Sequence, residues 1–236
     1  MHMPPRRRSL LMALATASLL SACCAGVAEP AQAPKVAAPR SPAAVPEATD
    51  PAAIARLLRR GGVVLYFRHA GTDMTQLERE RAAREDGSFS YERCDTQRNL
   101  SAAGREEFAA VAEAFALMRA AGRPRFSAVW ASAYCRTRET AQMLSPEPRV
   151  FTTLSLEIKD LQVPERVARA RAFVDEPVPR GEVKVIVAHG GIFQAMTGWT
   201  AQEAHAVILV PGQRERIAAR IAPEQWGAIA KEVTRP

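Results

Sequence analysis

The sequence predicts an α/β fold of three layers, with helices on both faces of a mainly parallel central sheet. Two short runs carry this reading, Val63–Phe67, apolar throughout, and Val183–Ala188, apolar but for Lys184. Each is too short for a helix and rich in β-branched residues, as a strand buried on both faces requires. Helical patterns lie between them, and strands alternating with helices build a sheet covered on both sides. Of the 236 residues 47% are hydrophobic and 24% charged, which excludes disorder or a multi-span membrane protein for the bulk of the chain.

The chain opens on Arg6, Arg7 and Arg8, then Ser9 and the apolar stretch Leu10–Leu20. This is the charged and apolar order of an export signal, and the apolar part is too short to span a bilayer comfortably. It closes on Leu20-Ser21-Ala22-Cys23, which resembles the bacterial lipobox. Residues 1–23 are therefore expected to be a signal peptide whose Cys23 is lipidated. The alternative is cleavage after Ala31-Gln32-Ala33, giving a soluble periplasmic protein. Residues 24–50, rich in Ala and Pro and without apolar period, read as an extended tether. The expected location is the periplasm, lipid-anchored to a bacterial envelope membrane. Three of the +7 formal charges sit in the leader, and no Lys/Arg cluster with interleaved aromatics points to nucleic acid.

Residues 51–236 form the expected folded domain. Asp50-Pro51 reads as an N-cap with proline at the first helical position, opening a helix to Arg60 that Gly61-Gly62 stops. The strand Val63–Phe67 leads directly into Arg68-His69. From Gly71 to Asn99 the chain is polar and charge-dense, a long loop with a helical turn around Leu77–Arg84. Ser101 caps a crossover helix with apolar Phe108, Val111, Phe115 and Leu117, ending near Gly122. Strand Ser127–Ala131, a helix Thr137–Leu144, a third strand Val150–Thr153 and a helix Pro164–Val174 follow. Strand Val183–Ala188 then ends at His189-Gly190-Gly191, and a further helix follows it. Ala206–Val210 and Arg214–Ile221 read as a terminal hairpin, with a short helix from Pro223.

Sheets of this kind bind ligands in the crevice outside the carboxyl ends of their strands, where Arg68, His69 and His189 fall. Arg136 follows another strand end. Two imidazoles with two guanidiniums suit a phosphoryl group, because the arginine fork matches phosphate oxygens and stays charged at any working pH. No close spacing of His, Cys, Asp or Glu indicates a metal site. Of the four cysteines, Cys23 and Cys24 flank the leader boundary, so Cys94 and Cys135 are expected to pair as one disulfide in an oxidising compartment.

Four segments carry a family resemblance: Tyr66-Phe67-Arg68-His69-Ala70-Gly71-Thr72; Gln97-Arg98-Asn99-Leu100-Ser101-Ala102-Ala103-Gly104-Arg105; Ser132-Ala133-Tyr134-Cys135-Arg136-Thr137-Arg138-Glu139-Thr140-Ala141; and Ala188-His189-Gly190. Together they resemble, in the family's order, the motifs of the histidine phosphatase superfamily, with its phosphoglycerate mutase-like fold. They cover most of Val63 to His189, and Ile221-Ala222-Pro223-Glu224-Gln225-Trp226 resembles the ending of small exported bacterial members. The resemblance implies a phosphomonoester hydrolase that forms a phosphohistidine on His69, with Arg68, Arg136 and His189 clamping the phosphoryl oxygens. It implies substrate contacts from Thr72, Gln97, Asn99 and Gly190, and no metal or other cofactor. Ala70 departs from the family's more usual glycine, and the acid that protonates the leaving group is Glu157 or Asp160. The implied substrate is a small phosphorylated molecule or a phosphorylated envelope glycan, since one exported branch acts on phosphorylated heptose of lipopolysaccharide. The alternatives are a phosphohistidine or phosphoprotein phosphatase and a non-catalytic lipoprotein that binds a phosphate ligand.

Overall fold

The computed structural model describes residues 50–145, 150–213 and 217–236. The expected signal peptide, Cys23 and almost all of the tether lie outside the described residues, as does the start of the last predicted strand, 214–216. Helix α1 (Pro51–Arg60) begins where Asp50 accepts the Ala52 N–H at 3.0 Å. It stops at Gly61, whose φ of +62° suits a residue without a side chain. Strand β1 (Val63–Arg68) follows, then α2 (Leu77–Glu85), α3 (Ala102–Ala120), β2 (Arg125–Ser132), α4 (Cys135–Leu144) and β3 (Val150–Thr153). After them come α5 (Pro164–Asp175), β4 (Glu182–Ala188), α6 (Gly190–Thr197), β5 (Ala206–Leu209), β6 (Ile217–Ile221) and α7 (Trp226–Thr234).

The strands lie in the order β3-β2-β4-β1-β5-β6. β3, β2, β4 and β1 run parallel, and β5 runs against both β1 and β6. Alternation along β1 explains its unbroken apolar run. Val63, Leu65 and Phe67 enter a core covered by α1, α3, α4 and α7, while Val64 and Tyr66 enter one covered by α5 and α6. These are the three expected layers. Trp226 of α7, fully buried, stacks on Phe67 at 5.5 Å and seals the first core directly behind the end of β1.

Two differences from the sequence reading matter for the site. The expected loop Gly71–Asn99 contains a nine-residue helix, α2, and not a single turn. Its face toward the protein carries Glu80 and Ala83, so no apolar period marks it. Helix α4 begins at Cys135 rather than Thr137, which places Arg136 in its first turn. The last helix starts as a 3-10 turn over Pro223–Gln225 and continues as α7. Among the described residues, no helix is long and apolar enough to cross a membrane.

Candidate active site

The central pair of strands sets the site. β1 and β4 pair in parallel with Arg68 opposite Ala188, so the next residue of each strand, His69 and His189, leaves the sheet at the same level. Their rings meet edge to face with centroids 5.4 Å apart. Both line a crevice of about 440 Å³ together with Arg68, Arg98, Arg136 and Gly190. The structure thus brings together four of the five expected catalytic residues.

His69 is 2% exposed, and its Nδ1 lies 2.9 Å from the Ala70 carbonyl oxygen. A carbonyl can only accept, so Nδ1 carries the ring proton and Nε2 keeps its lone pair. Burial, reinforced by Arg136, Arg68 and Arg98, holds His69 well below the usual imidazole range, against a smaller opposing pull from the Ala70 carbonyl. The ring is therefore neutral at neutral pH, the form that can attack. Burial and Arg136 likewise keep His189 neutral. Its backbone is held by the Tyr66 hydroxyl, which donates to His189 O at 2.8 Å.

The arginines are fixed from behind by carboxylates. Arg136, in the first turn of α4, donates from Nη1 to Glu80 Oε2 at 2.9 Å and to the Arg98 carbonyl at 3.2 Å. Arg68 donates from Nη1 to Ala201 O at 3.0 Å and from Nη2 to Glu203 Oε1 at 3.1 Å. Glu203 also lies 3.8 Å from Arg98 and accepts from Thr72 N and Thr72 Oγ1. Burial pushes Glu80 up, but Arg136 and the Arg98 N–H outweigh it and hold the carboxylate below its ordinary value. Arg68 Nε and Arg136 Nε are buried and have no partner among the described residues. Gly190 allows this packing, because a Cβ there would stand 3.2 Å from Arg68 Nη1 and 3.3 Å from Ala201 O. With Gly191 it also opens α6, whose first N–H groups have no partner within the helix and favour an anion.

Glu157 is buried behind this crevice and does not line it. Its Oε1 accepts from Ala133 N at 2.8 Å and from Ser132 Oγ at 3.2 Å, and Ser132 Oγ lies 2.8 Å from His189 Nε2. Burial raises Glu157 above the usual carboxylate range, partly offset by the Ala133 N–H. Asp160 does not line the crevice either.

Three residues expected to contact the substrate do not line the crevice. Gln97 is fully buried, donating to Ser90 O and accepting from Cys135 N at 2.9 Å. Asn99 donates to Cys94 O at 2.7 Å and faces the disulfide side of the loop. Thr72 is spent on Glu203. In their place Arg98 reaches the crevice. Extended backbone points successive side chains to opposite sides, so turning Gln97 and Asn99 away turns Arg98 in. The missed residue was marked by its chemistry, an arginine between two amides. The expected Cys94–Cys135 disulfide is present, with Cα atoms 5.7 Å apart. Among the described residues, no group of three His, Cys, Asp or Glu side chains is placed to hold a metal ion.

No family model and no curated protein matches the chain. Among solved structures it is similar to the protein histidine phosphatase SixA complexed with tungstate, at 14% identity and TM-score 0.45, covering 68% of this chain and 97% of that one. A mycobacterial glucosyl-3-phosphoglycerate phosphatase aligns at 18% identity and TM-score 0.42, over 68% of this chain and 96% of its own. A mutant phosphoserine phosphatase from Entamoeba histolytica, in complex with phosphoserine, aligns at 10% identity and TM-score 0.44, over 69% and 98%.

Proposed function

We propose that this chain is a phosphatase of the histidine phosphatase type, hydrolysing phosphomonoesters through a phosphohistidine on His69 without a metal. One observation carries the reading: a neutral histidine, its Nδ1 bonded to a carbonyl and its Nε2 left for attack, in a crevice lined by three arginines. Nε2 forms the bond to phosphorus as the bond to the leaving oxygen breaks. The Ala70 carbonyl then supports the positive ring through Nδ1–H. Water displaces the imidazole in the second step and releases phosphate. Phosphoryl transfer is accelerated mainly by positioning and by stabilising charge on the transferring oxygens. Arg68, Arg98 and Arg136 supply that charge, and the unpartnered Nε groups of Arg68 and Arg136 are donors available for it.

The leaving oxygen needs a proton, and His189 is the crevice residue connected to a stored one. With Glu157 protonated, its O–H donates to Ser132 Oγ and the Ser132 hydroxyl to His189 Nε2; His189 Nδ1–H then protonates the leaving oxygen as the chain of protons shifts, and the attacking water of the second step returns a proton by the same path. The raised affinity of buried Glu157 for a proton supports this assignment. The leader-like segment and lipobox support an exported, lipid-anchored enzyme acting on a phosphorylated envelope component such as a glycan.

The test is hydrolysis of p-nitrophenyl phosphate by the full chain in EDTA, beside His69→Ala. Turnover that survives EDTA and vanishes in the variant is expected, with a phosphohistidine trapped on His69 by acid quenching. Turnover unchanged in His69→Ala would overturn the reading.

A further inference from the structure

Tyr134 has no part in the function proposed above, yet two residues of the crevice rest on its ring. It caps α4, and its carbonyl accepts from Arg138 N at 3.0 Å and from Thr137 Oγ1 at 2.7 Å, so its backbone is fixed. The side chain is fully buried and does not itself line the crevice. His189 meets the ring edge to face with centroids 4.7 Å apart, and the Arg136 guanidinium stands over it, 4.3 Å from the centroid. The electron-rich face of a ring attracts a cation without using its N–H groups. Arg136 therefore keeps Nη1 for Glu80 and Nε for a ligand. For His189 the ring adds what a hydrogen bond lacks. Ser132 Oγ fixes one atom of the imidazole, Nε2, and contact with Tyr134 limits how the imidazole plane can tilt about it.

The ring of Tyr134 is held in its turn. Arg84 of α2 donates to the Tyr134 hydroxyl, and the same Nη2 donates to Glu80 Oε1 at 3.0 Å. Glu80 Oε2 accepts from Arg136 Nη1 at 2.9 Å, and Arg136 lies over Tyr134. A closed circuit of contacts thus runs from Tyr134 to Arg84, Glu80, Arg136 and back to the Tyr134 ring. Each member is fixed at two points, so opening the circuit at one of them frees its neighbours as well. The loop after α2 adds to the frame, with the Phe89 and Tyr91 rings 5.6 and 5.3 Å from that of Tyr134 and the Arg84 guanidinium 4.0 Å from the Phe89 centroid. Arg84 does not line the crevice, and its charge serves the frame rather than a ligand.

We infer that Tyr134 is a positioning residue of the active site, its ring setting Arg136 and His189 toward one phosphoryl group and Arg84 bracing its hydroxyl from behind; this rests on the phosphatase reading above. Binding of inorganic phosphate, followed by calorimetry on the full chain, reads the Arg136 half without turnover. Tyr134→Leu removes the ring face and should weaken phosphate about tenfold, the size of a desolvated cation–ring contact. Tyr134→Phe keeps the ring and gives up only the Arg84 bond, so it should recover most of that loss and stay within about threefold of the wild type. Arg84→Met, at a partly exposed position, opens the same circuit outside the core and should weaken phosphate by about threefold. In an Arg136→Lys background Tyr134→Leu should cost less than about twofold, because the guanidinium it holds is gone. Kinetics read the His189 half. Tyr134→Leu should raise KM for p-nitrophenyl phosphate about tenfold, and should lower kcat further for glycerol phosphate, whose leaving oxygen needs a proton, than for p-nitrophenyl phosphate. Thermal unfolding of each variant establishes that it is folded at the assay temperature. Phosphate binding within about twofold of the wild type in folded Tyr134→Leu, or equal losses in Tyr134→Leu and Tyr134→Phe, would overturn the inference. Should Tyr134→Leu not fold, unchanged phosphate binding in Arg84→Met would overturn it. Failure of the phosphatase reading would show differently, as absence of p-nitrophenyl phosphate turnover in the unmodified chain while phosphate binding still falls in Tyr134→Leu.

Discussion

Replacing Cys94 with serine opens a bridge whose ends are 41 residues apart in sequence. Closing a loop of that length removes about 13 cal/mol/K from the unfolded chain, or about 4 kcal/mol at room temperature. In a domain of this size each kcal/mol moves Tm by about 2–4 °C, so a fall of roughly 8 to 16 °C is the upper range, reduced where the unfolded chain keeps structure. Cys94 is exposed, so serine introduces no buried polar group there. The local consequence is functional. Cys135 opens α4 and immediately precedes Arg136, while Cys94 opens the turn that leads to Arg98. Without the bridge, hydrogen bonds alone tie the two segments, from Cys135 N to Gln97, from Arg136 to Arg98 O and from Arg138 to Tyr91 O. The phosphate clamp should then loosen, raising KM for p-nitrophenyl phosphate several-fold with little change in kcat. Thermal unfolding followed by circular dichroism, on Cys94→Ser and on the wild type with and without reductant, reads the first effect. Initial rates on the same samples read the second. If Tm stays within about 2 °C of the oxidised wild type, the bridge does not constrain this fold as reasoned.

Because the free enzyme keeps His69 neutral below the ordinary imidazole pKa, the acid limb of kcat/KM should lie below about pH 6.5, once the substrate's own ionisation is allowed for. Half-maximal kcat/KM at pH 7 or above would contradict it. For stability the sign follows from linkage: below about pH 6.5 unfolding lets His69 and His189 take up protons that the fold excludes. Stability therefore falls on acidification from there toward the folded-state values, by up to about 1.4 kcal/mol per pH unit for each histidine, measurable by urea titration across the window. Arg136→Lys keeps the charge but loses the planar fork, in which Nη1 holds Glu80 and the Arg98 carbonyl while Nε is left for a phosphoryl oxygen; a loss on the order of 100-fold in kcat/KM is expected, and less than threefold would remove Arg136 from the clamp. Ser132→Ala cuts Glu157 from His189, so kcat should drop roughly 10- to 100-fold for an alkyl phosphate and much less for p-nitrophenyl phosphate, whose leaving group needs no proton; equal losses on both would make Ser132 merely structural.

Sequence made the middle of the sheet legible because its strands are buried on both faces. Val63–Phe67 is apolar at every position and Val183–Ala188 at all but Lys184, whose ammonium is paired with Glu176, and parallel pairing then obliges His69 and His189 to emerge together. What stayed hidden is the layer that holds the arginines. Glu80 stands in α2 among Glu78, Arg79 and Arg81, and nothing in that run separates the carboxylate facing Arg136 from its exposed neighbours. Glu203 lies between α6 and β5, in a segment too short for any period to show. Both positions are decided by which way a side chain turns after long-range packing, as is the phase that aims Arg98 inward while Gln97 and Asn99 turn away.

The hidden layer also explains how three guanidiniums stand around one crevice before any ligand arrives. Left alone, Arg68, Arg98 and Arg136 would repel one another, and a side chain as buried as Arg136, 2% exposed, would lose its hydration without compensation. Glu80, which also pairs with Arg84, and Glu203 stand behind the arginines of the crevice, so these cations are partnered but not neutralised. The carboxylates also fix where each fork points, so the cost of ordering the arginines is met during folding, and in the function proposed above the binding energy of a phosphoryl group would be free to act on the transition state.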